Sequence, residues 1–385
     1  MPYLEGRVAH DADSHVMEPL DWYDPHLPTG IKARLDELSG PRNERLAGWL
    51  DKVVAKHDDP DFRAGALDEV MLRKGWEAPG AWRPDDRTEA LDALGFASQL
   101  VFTTALLGPL VIAEHRDDPD FAYGLAEGHN RAILEFCGHD ERLLPVGYLP
   151  LMDIERTAAF AGDAIEAGCA ALMVASRCPK AHSPSHVGFD PVWAQLEEAG
   201  VPVVFHVGGG DVMNPRYKDN GLPPVKDFVG GDTNFTSVSF LPIANAPMQT
   251  LGTLIIDGVL ERFGALRFGV IEQGASWVPS WMRSMDSAAD AFRKNEERLQ
   301  RLPLKPSEYV QRQIRATPYP HEDVGWIVKN AGASVCLFSS DYPHIEGGRH
   351  PLKRFEASLD AAGCDTAERD AFYADNMEDL VGALR

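Results

Sequence analysis

No long run of Lys and Arg occurs in this sequence of 385 residues, and 37 basic residues face 59 acidic ones for a formal net charge of -22. Nothing in it can track a phosphate backbone, so nucleic acid is not an expected partner, and the acidic excess reads as solvated helix surface. Membrane-length apolar runs are missing as well: the longest are strand-sized or broken by charge, as in 251–260, and no membrane partner is expected. Cysteine is sparse. Cys137, Cys169, Cys178, Cys336 and Cys364 are scattered, with no CxxC pair and no recognisable leader ahead of them, so reduced thiols and a cytoplasmic protein are expected. Also lacking is a Gly-rich dinucleotide turn after the first strand-like run, which ends in Asp-Ala-Asp-Ser-His. That absence ranks an open doubly wound sheet below a closed barrel.

What is present is a repeated βα pattern. Runs rich in Val, Ile, Leu and Phe recur at 7–13, 99–104, 144–149, 170–176, 202–207, 266–271, 310–317 and 334–339. Helical spacing follows at 153–167, 191–199, 248–263, 279–300 and 321–330. The pattern predicts an α/β fold, a single (β/α)8 TIM barrel over 1–385. Residues 19–96 are too long for an ordinary connection and are read as a helical insertion over the barrel mouth. A second irregular stretch, 208–240, carries Gly-Gly-Gly, Asn-Pro-Arg and Gly-Gly-Asp and is read as a pocket-shaping loop.

Polar residues sit where these strands end. Asp13 and His15 are two apart, so a pleated strand sends both to one face. His206 closes Val-Pro-Val-Val-Phe, and Asp341 follows Cys-Leu-Phe-Ser-Ser. Singly, each has a bland explanation: a hydrogen-bonded structural histidine, or an aspartate that caps a turn. Together, at the first, fifth and last strands, they match the way barrel sites collect residues from several strand ends, and they are read as ligands of one divalent ion. Two imidazoles and two carboxylates suit zinc, with manganese or ferrous iron as alternatives. Glu272, after Phe-Gly-Val-Ile, is read as the general base, a further ligand or a bridge to a second ion. His344 is a candidate acid or base, and Arg177 a candidate receptor for a substrate carboxylate or phosphate. Glu18 is read as structural, Trp277 and Trp281 as core, and His129, His182 and His186 as loop or surface residues.

The segments Asp-Ala-Asp-Ser-His-Val-Met-Glu-Pro, Phe-His-Val-Gly, Ile-Glu-Gln-Gly-Ala-Ser-Trp-Val-Pro and Ser-Ser-Asp-Tyr-Pro-His resemble the amidohydrolase-related family. This is the branch of the amidohydrolase superfamily that includes aminocarboxymuconate-semialdehyde decarboxylase and γ-resorcylate decarboxylase, and the likeness runs over nearly the whole chain. It implies a distorted barrel, a mononuclear zinc or manganese site, and either nonoxidative decarboxylation or hydrolysis. By position it matches Asp13 and His15 to the first-strand ligand pair, His206 to the fifth-strand ligand and Asp341 to the last-strand ligand. Two departures stand out. Asp13 replaces the usual His or Glu of the first pair, and Glu272 stands where the decarboxylases carry a catalytic histidine. The bridging carboxylated lysine of classical amidohydrolases has no counterpart in the fourth strand.

A glutamate is a natural base for water. The sequence therefore favours a metal-dependent hydrolase cleaving an amide, ester or thioester bond of a small organic acid derivative. Its alternative is a metal-dependent nonoxidative decarboxylase of a small aromatic or unsaturated carboxylic acid, and a catalytically inactive binding protein ranks third. The expected partner is a small-molecule substrate; a homodimer is expected by analogy.

Overall fold

The computed structural model describes residues 2–19, 21–39, 44–209, 213–223, 225 and 236–382, with backbone alone at 36–39 and 44–46. Among the described residues, seven strands lie side by side in chain order: β1 (His10–Val16), β2 (Ser98–Thr103), β3 (Leu143–Tyr148), β4 (Ala171–Met173), β5 (Val203–His206), β6 (Phe268–Ile271) and β7 (Ile314–Ala316). Every neighbouring pair is parallel, with helices in the connections, the α/β arrangement of TIM-like folds.

The strands alternate as a curled sheet buried on both sides must. Leu100, Phe102, Val146, Tyr148, Met173, Val204 and Ile271 fill an inner cluster, while Val101, Leu172, Val203, Phe205, Phe268 and Val270 pack in an outer one beneath the helices. β1 departs from the alternation. Ala12 belongs to the inner cluster, yet Asp13 and His15 also face inward toward His206, and a register shift between Asp11 and Ser14 reconciles the two parities.

The expected eighth strand, 334–339, is not a strand. Its segment is joined to β7 by an isolated bridge, Ala316 to Cys336, and to β1 by another, Ser14 to Tyr342. Ala12 N–H donates to the Phe338 carbonyl at 3.0 Å, but Phe338 N–H turns away to the Phe372 carbonyl at 2.9 Å, so a continuous ladder cannot form. The expected seventh strand is shortened, because 310–313 belong to the helix Pro306–Gln313. Pro306 opens that helix, and the Glu308 side chain accepts from Lys305 N–H at 2.7 Å.

Two expected helices are each broken in two. The first divides at Gly258, at φ +78°, into Asn245–Ile256 and Val259–Arg262; the second becomes Val278–Phe292 and Glu297–Gln300. Among the described residues, the α-helices Ile31–Ser39, Glu44–Lys56, Pro60–Asp68 and Pro84–Leu94 lie between β1 and β2. The Gly-Gly-Asp of the second irregular stretch lies outside the described residues, while Asn-Pro-Arg leads into a short 3-10 turn, Pro215–Lys218. Among the described residues no helix is long and apolar enough to cross a membrane.

Candidate metal centre

Five of the sequence-selected residues leave the strands at one end. Asp13 and His15 lie in β1, His206 is the last residue of β5, Glu272 follows β6, and Asp341 lies between the two bridges of the last segment, at Cys336 and Tyr342. Donor atoms of Asp13, His15, His206 and Glu272 all lie within 4.8 Å of one another, and those of His15, Asp341 and His344 form a second such group sharing His15. The His15 Nε2 is 3.2 Å from Asp13 Oδ1 and 3.8 Å from Asp341 Oδ1; His206 Nε2 is 3.4 Å from Asp13 Oδ1 and 3.5 Å from Glu272 Oε2. All six residues are buried.

The ring hydrogens decide what this cluster accepts. His15 Nδ1 donates to the Thr103 carbonyl at 3.0 Å and His206 Nδ1 to the Val207 carbonyl at 3.0 Å. A carbonyl only accepts, so each Nδ1 carries the hydrogen and a neutral ring turns the lone pair of Nε2 toward the Asp13 carboxylate. Lone pair against carboxylate oxygen is repulsive unless a proton or a cation lies between them. Burial raises the Asp13 carboxyl, but hydrogen bonds and charge from His15 and His206 outweigh it and hold the group well below the usual carboxylate range. A divalent ion satisfies the same lone pairs without protonating the rings, and the donor set of two imidazole nitrogens and several carboxylates fits one.

Two of these carboxylates sit on strained backbone. Glu272 at φ +52° and Asp341 at φ +49° are the non-glycine residues in the left-handed region among those described. Strain of this kind concentrates where a side chain must be aimed. Asp341 is followed by a turn in which His344 places Nδ1 3.0 Å from Asp341 Oδ1 and Nε2 2.9 Å from Thr104 Oγ1, its ring stacked on His15 at 4.0 Å. A cavity of about 250 Å³, including space open to solvent, adjoins Asp13, Glu272 and Asp341 and is walled in part by Tyr319 and Glu346.

Arg177 stands apart from the cluster: its Nη2 donates to the Val111 carbonyl at 3.4 Å, and its charge lies near the buried Glu114. Glu18 accepts from the Tyr23 and Thr103 hydroxyls at 2.6 Å each and from Ala105 N–H at 2.8 Å, a fully engaged structural carboxylate. His129, expected at the surface, is buried in the helix Pro119–Cys137 beside Asn130, with Nδ1 2.8 Å from Asn130 Oδ1.

Two cations near the site escaped the sequence reading. Burial pushes the Lys74 ammonium down to about 8 against the opposing pull of Asp341, Asp11 and Glu346, and its Nζ is buried without a hydrogen-bond partner among the described residues. Buried Arg87 donates to the His15 carbonyl at 3.1 Å and to Gln99 Oε1 at 3.2 Å, supporting β1 from behind. Gln99 in turn donates to Asp11 at 2.8 Å, and Asp11 accepts from Ser340 N–H at 2.7 Å, so one polar chain ties β1, β2 and the segment leading to Asp341. Neither cation belongs to a strand-end motif, and no signal in the sequence marks either.

A family model described as amidohydrolase matches residues 11–383. Curated proteins return no match. Among solved structures, an amidohydrolase from Mycobacterium avium subsp. paratuberculosis K-10 superposes with a TM-score of 0.72 at 22% identity, covering 98% of this chain and 100% of its own. A 5-carboxyvanillate decarboxylase from Novosphingobium aromaticivorans DSM 12444, complexed with manganese and 4-hydroxy-3-methoxy-5-nitrobenzoic acid, gives 0.63 at 17% identity over 98% and 96%. A dihydroxybenzoic acid decarboxylase from Polaromonas sp. JS666, with manganese and 2-nitroresorcinol, gives 0.60 at 16% over 99% and 98%. At these identities the likeness is one of fold.

Proposed function

Since this chain belongs to the amidohydrolase family, we propose that its strand-end cluster holds a divalent ion and that the protein is a metal-dependent carboxy-lyase of a small aromatic or unsaturated carboxylic acid. The observation that carries the metal is the convergence of His15 Nε2 and His206 Nε2 on the Asp13 carboxylate in a buried site. Asp13, His15, His206 and Asp341 are the proposed ligands. The decarboxylase names of two structural relatives support the choice of reaction, and the manganese in both supports manganese beside zinc.

A bound ion would supply Lewis acidity and orient substrate oxygens. The residues supply the rest. In decarboxylation the bond from ring or vinyl carbon to the carboxylate breaks, carbon dioxide leaves, and the electron pair left on carbon takes a proton. His344 and Glu272 are the proposed donors. Arg177, whose Nε is buried without a hydrogen-bond partner among the described residues, is the proposed receptor for a second anionic group of the substrate. The insertion over 19–96 is proposed to cover the mouth: Gly75 N–H donates to the Pro343 carbonyl at 2.8 Å, which brings its 74–75 turn against the loop after Asp341.

Hydrolysis remains the second reading, favoured by one observation: a carboxylate, Glu272, stands 3.5 Å from His206 Nε2, where it can take a proton from water and pass it to a leaving group. Turnover of a panel of hydroxybenzoic and unsaturated acids, and of matching esters and amides, in labelled water separates the two. Carbon dioxide release with solvent deuterium at the vacated carbon is expected. Labelled oxygen in a carboxylate product, with no carbon dioxide, replaces the lyase by the hydrolase. Metal analysis in the same preparation counts the ions: one is expected, and two would assign Glu272 as a bridge. Absence of stoichiometric metal, with no effect of chelator, would leave the inactive binding protein. A homodimer is proposed, and the solution mass decides it.

A further inference from the structure

At Glu272 the chain adopts φ +52°, where a Cβ is strained. Asparagine and aspartate offset such strain with short bonds to nearby backbone, a device that suits glutamate's longer side chain poorly. Two groups in the segment after β7 hold the residue instead. Thr317 Oγ1 accepts the Glu272 N–H at 2.8 Å, and the Tyr319 hydroxyl donates to the Glu272 carbonyl at 2.6 Å. Both peptide groups of the strained residue are thus bonded to one short stretch of chain.

That stretch is itself fixed. Thr317 N–H donates to the Val270 carbonyl of β6 at 3.0 Å, and the Glu322 carboxylate accepts from Tyr319 N–H at 2.8 Å, Ala275 N–H at 3.0 Å and Ser276 N–H at 2.9 Å. Gly274 closes the turn at φ +69°, where a Cβ would lie 3.1 Å from both Glu322 Oε1 and the Tyr319 ring. Burial, then the charges of Glu272, Glu322, Asp341 and Asp13, push the Tyr319 phenol well above its ordinary value, which keeps it a donor.

We propose that Thr317 and Tyr319 are positioning residues that clamp the Glu272 peptide in its left-handed conformation and so aim its carboxylate at His206 and the metal site. The proposal rests on the reading of Glu272 as a further ligand of the ion, the role beside that of proton donor that its place within 4.8 Å of the Asp13, His15 and His206 donor atoms allows. It assigns the specificity of the β6 exit to two hydroxyls on the neighbouring strand exit. Their removal leaves Asp13, His15, His206 and Asp341 in place.

Manganese affinity measured by calorimetry on the purified full chain tests it without any substrate. Tyr319→Phe keeps the ring against Gly274 and its stacking on the His321 ring, 5.4 Å away between centroids, and Thr317→Val keeps the shape but removes the acceptor. Each is expected to weaken manganese binding by roughly 10-fold, the scale on which partners of ligand residues act, while Thr317→Ser restores it. In a Glu272→Ala background, Tyr319→Phe is expected to add no further loss. An equal loss in both backgrounds overturns the clamp, because Tyr319 then acts otherwise than through Glu272. Unchanged affinity in Tyr319→Phe beside a weakened Glu272→Ala overturns the clamp alone. Wild-type affinity in Glu272→Ala overturns the reading of Glu272 as a ligand, and the clamp with it, and leaves its role as proton donor to the turnover assay. Should Thr317→Val fail to fold, the Tyr319 cycle decides by itself.

Discussion

Glu272 and His206 meet at 3.5 Å, and a carboxamide in place of the carboxylate keeps the shape but can neither give nor take the proton. Glu272→Gln is expected to lower kcat/KM by roughly 10²–10⁴-fold with an unshifted unfolding midpoint; full turnover would remove Glu272 from the proton path. His129 makes a separate prediction. Burial pushes its imidazole down to about 4, against the raising effect of Asn130, from an ordinary value of 6.5. Between those values the unfolded chain binds more protons, so the stability from neutral His129 is complete above 6.5 and is lost as the pH falls toward 4. The loss approaches about 3 kcal/mol, and His129→Gln is expected to flatten that part of a denaturant-measured pH profile. The strand-end residues were legible in the sequence because an apolar run ending in Asp, His or Glu announces its position. His129 was not, since a polar residue on a long helix shows its burial only once the neighbouring helices are placed. Lys74 and Arg87 were hidden for the same reason: residue type argues for exposure, and only tertiary contact places them inside.

Among the elements, the helix Pro84–Leu94 reaches the site through Arg87, and the turn before it fits with no spare room. A Cβ at Gly80, which has φ +63°, would lie 2.3 Å from the Arg87 Cα. Gly80→Ala is therefore expected to cost about 2–4 kcal/mol, combining left-handed strain with overpacking, and chemical denaturation checks it. Loss of less than about 0.5 kcal/mol, the range of ordinary surface changes, would mean the turn relaxes freely. Strand order and parallel pairing were legible from the repeated βα pattern. The boundary at 310–313 was not, because Val-Gln-Arg-Gln carries neither period strongly and the helix start at Pro306 takes those residues. The register shift in β1 was equally hidden. Alternation alone would have put Asp13 and Ala12 on opposite faces, and the shift is what lets both point inward.

For the molecule as a whole, an ion bound only by the folded state stabilises it by mass action. Chelation of the metal-loaded protein is expected to lower the unfolding free energy by about 2.7 kcal/mol relative to free metal at 100 times Kd, read as a fall in Tm that manganese reverses. A Tm indifferent to chelator would detach the cluster from any ion. The same binding acts unevenly on the ring of strands. Asp13, His15, His206 and Glu272 ride on or beside laddered strands, whereas Asp341 and His344 ride on the segment joined to β7 and β1 by isolated bridges and a few scattered hydrogen bonds rather than a ladder. That segment is a half-sewn seam, and an ion grasped from both sides adds a stitch to the few already there. Local opening there falls below the global unfolding free energy without metal and rises toward it with metal. Hydrogen exchange is therefore expected to slow along 335–342 on metal loading while the amides of β2 and β3 keep their rates, so that the chemistry of the site and the closing of the ring become one event.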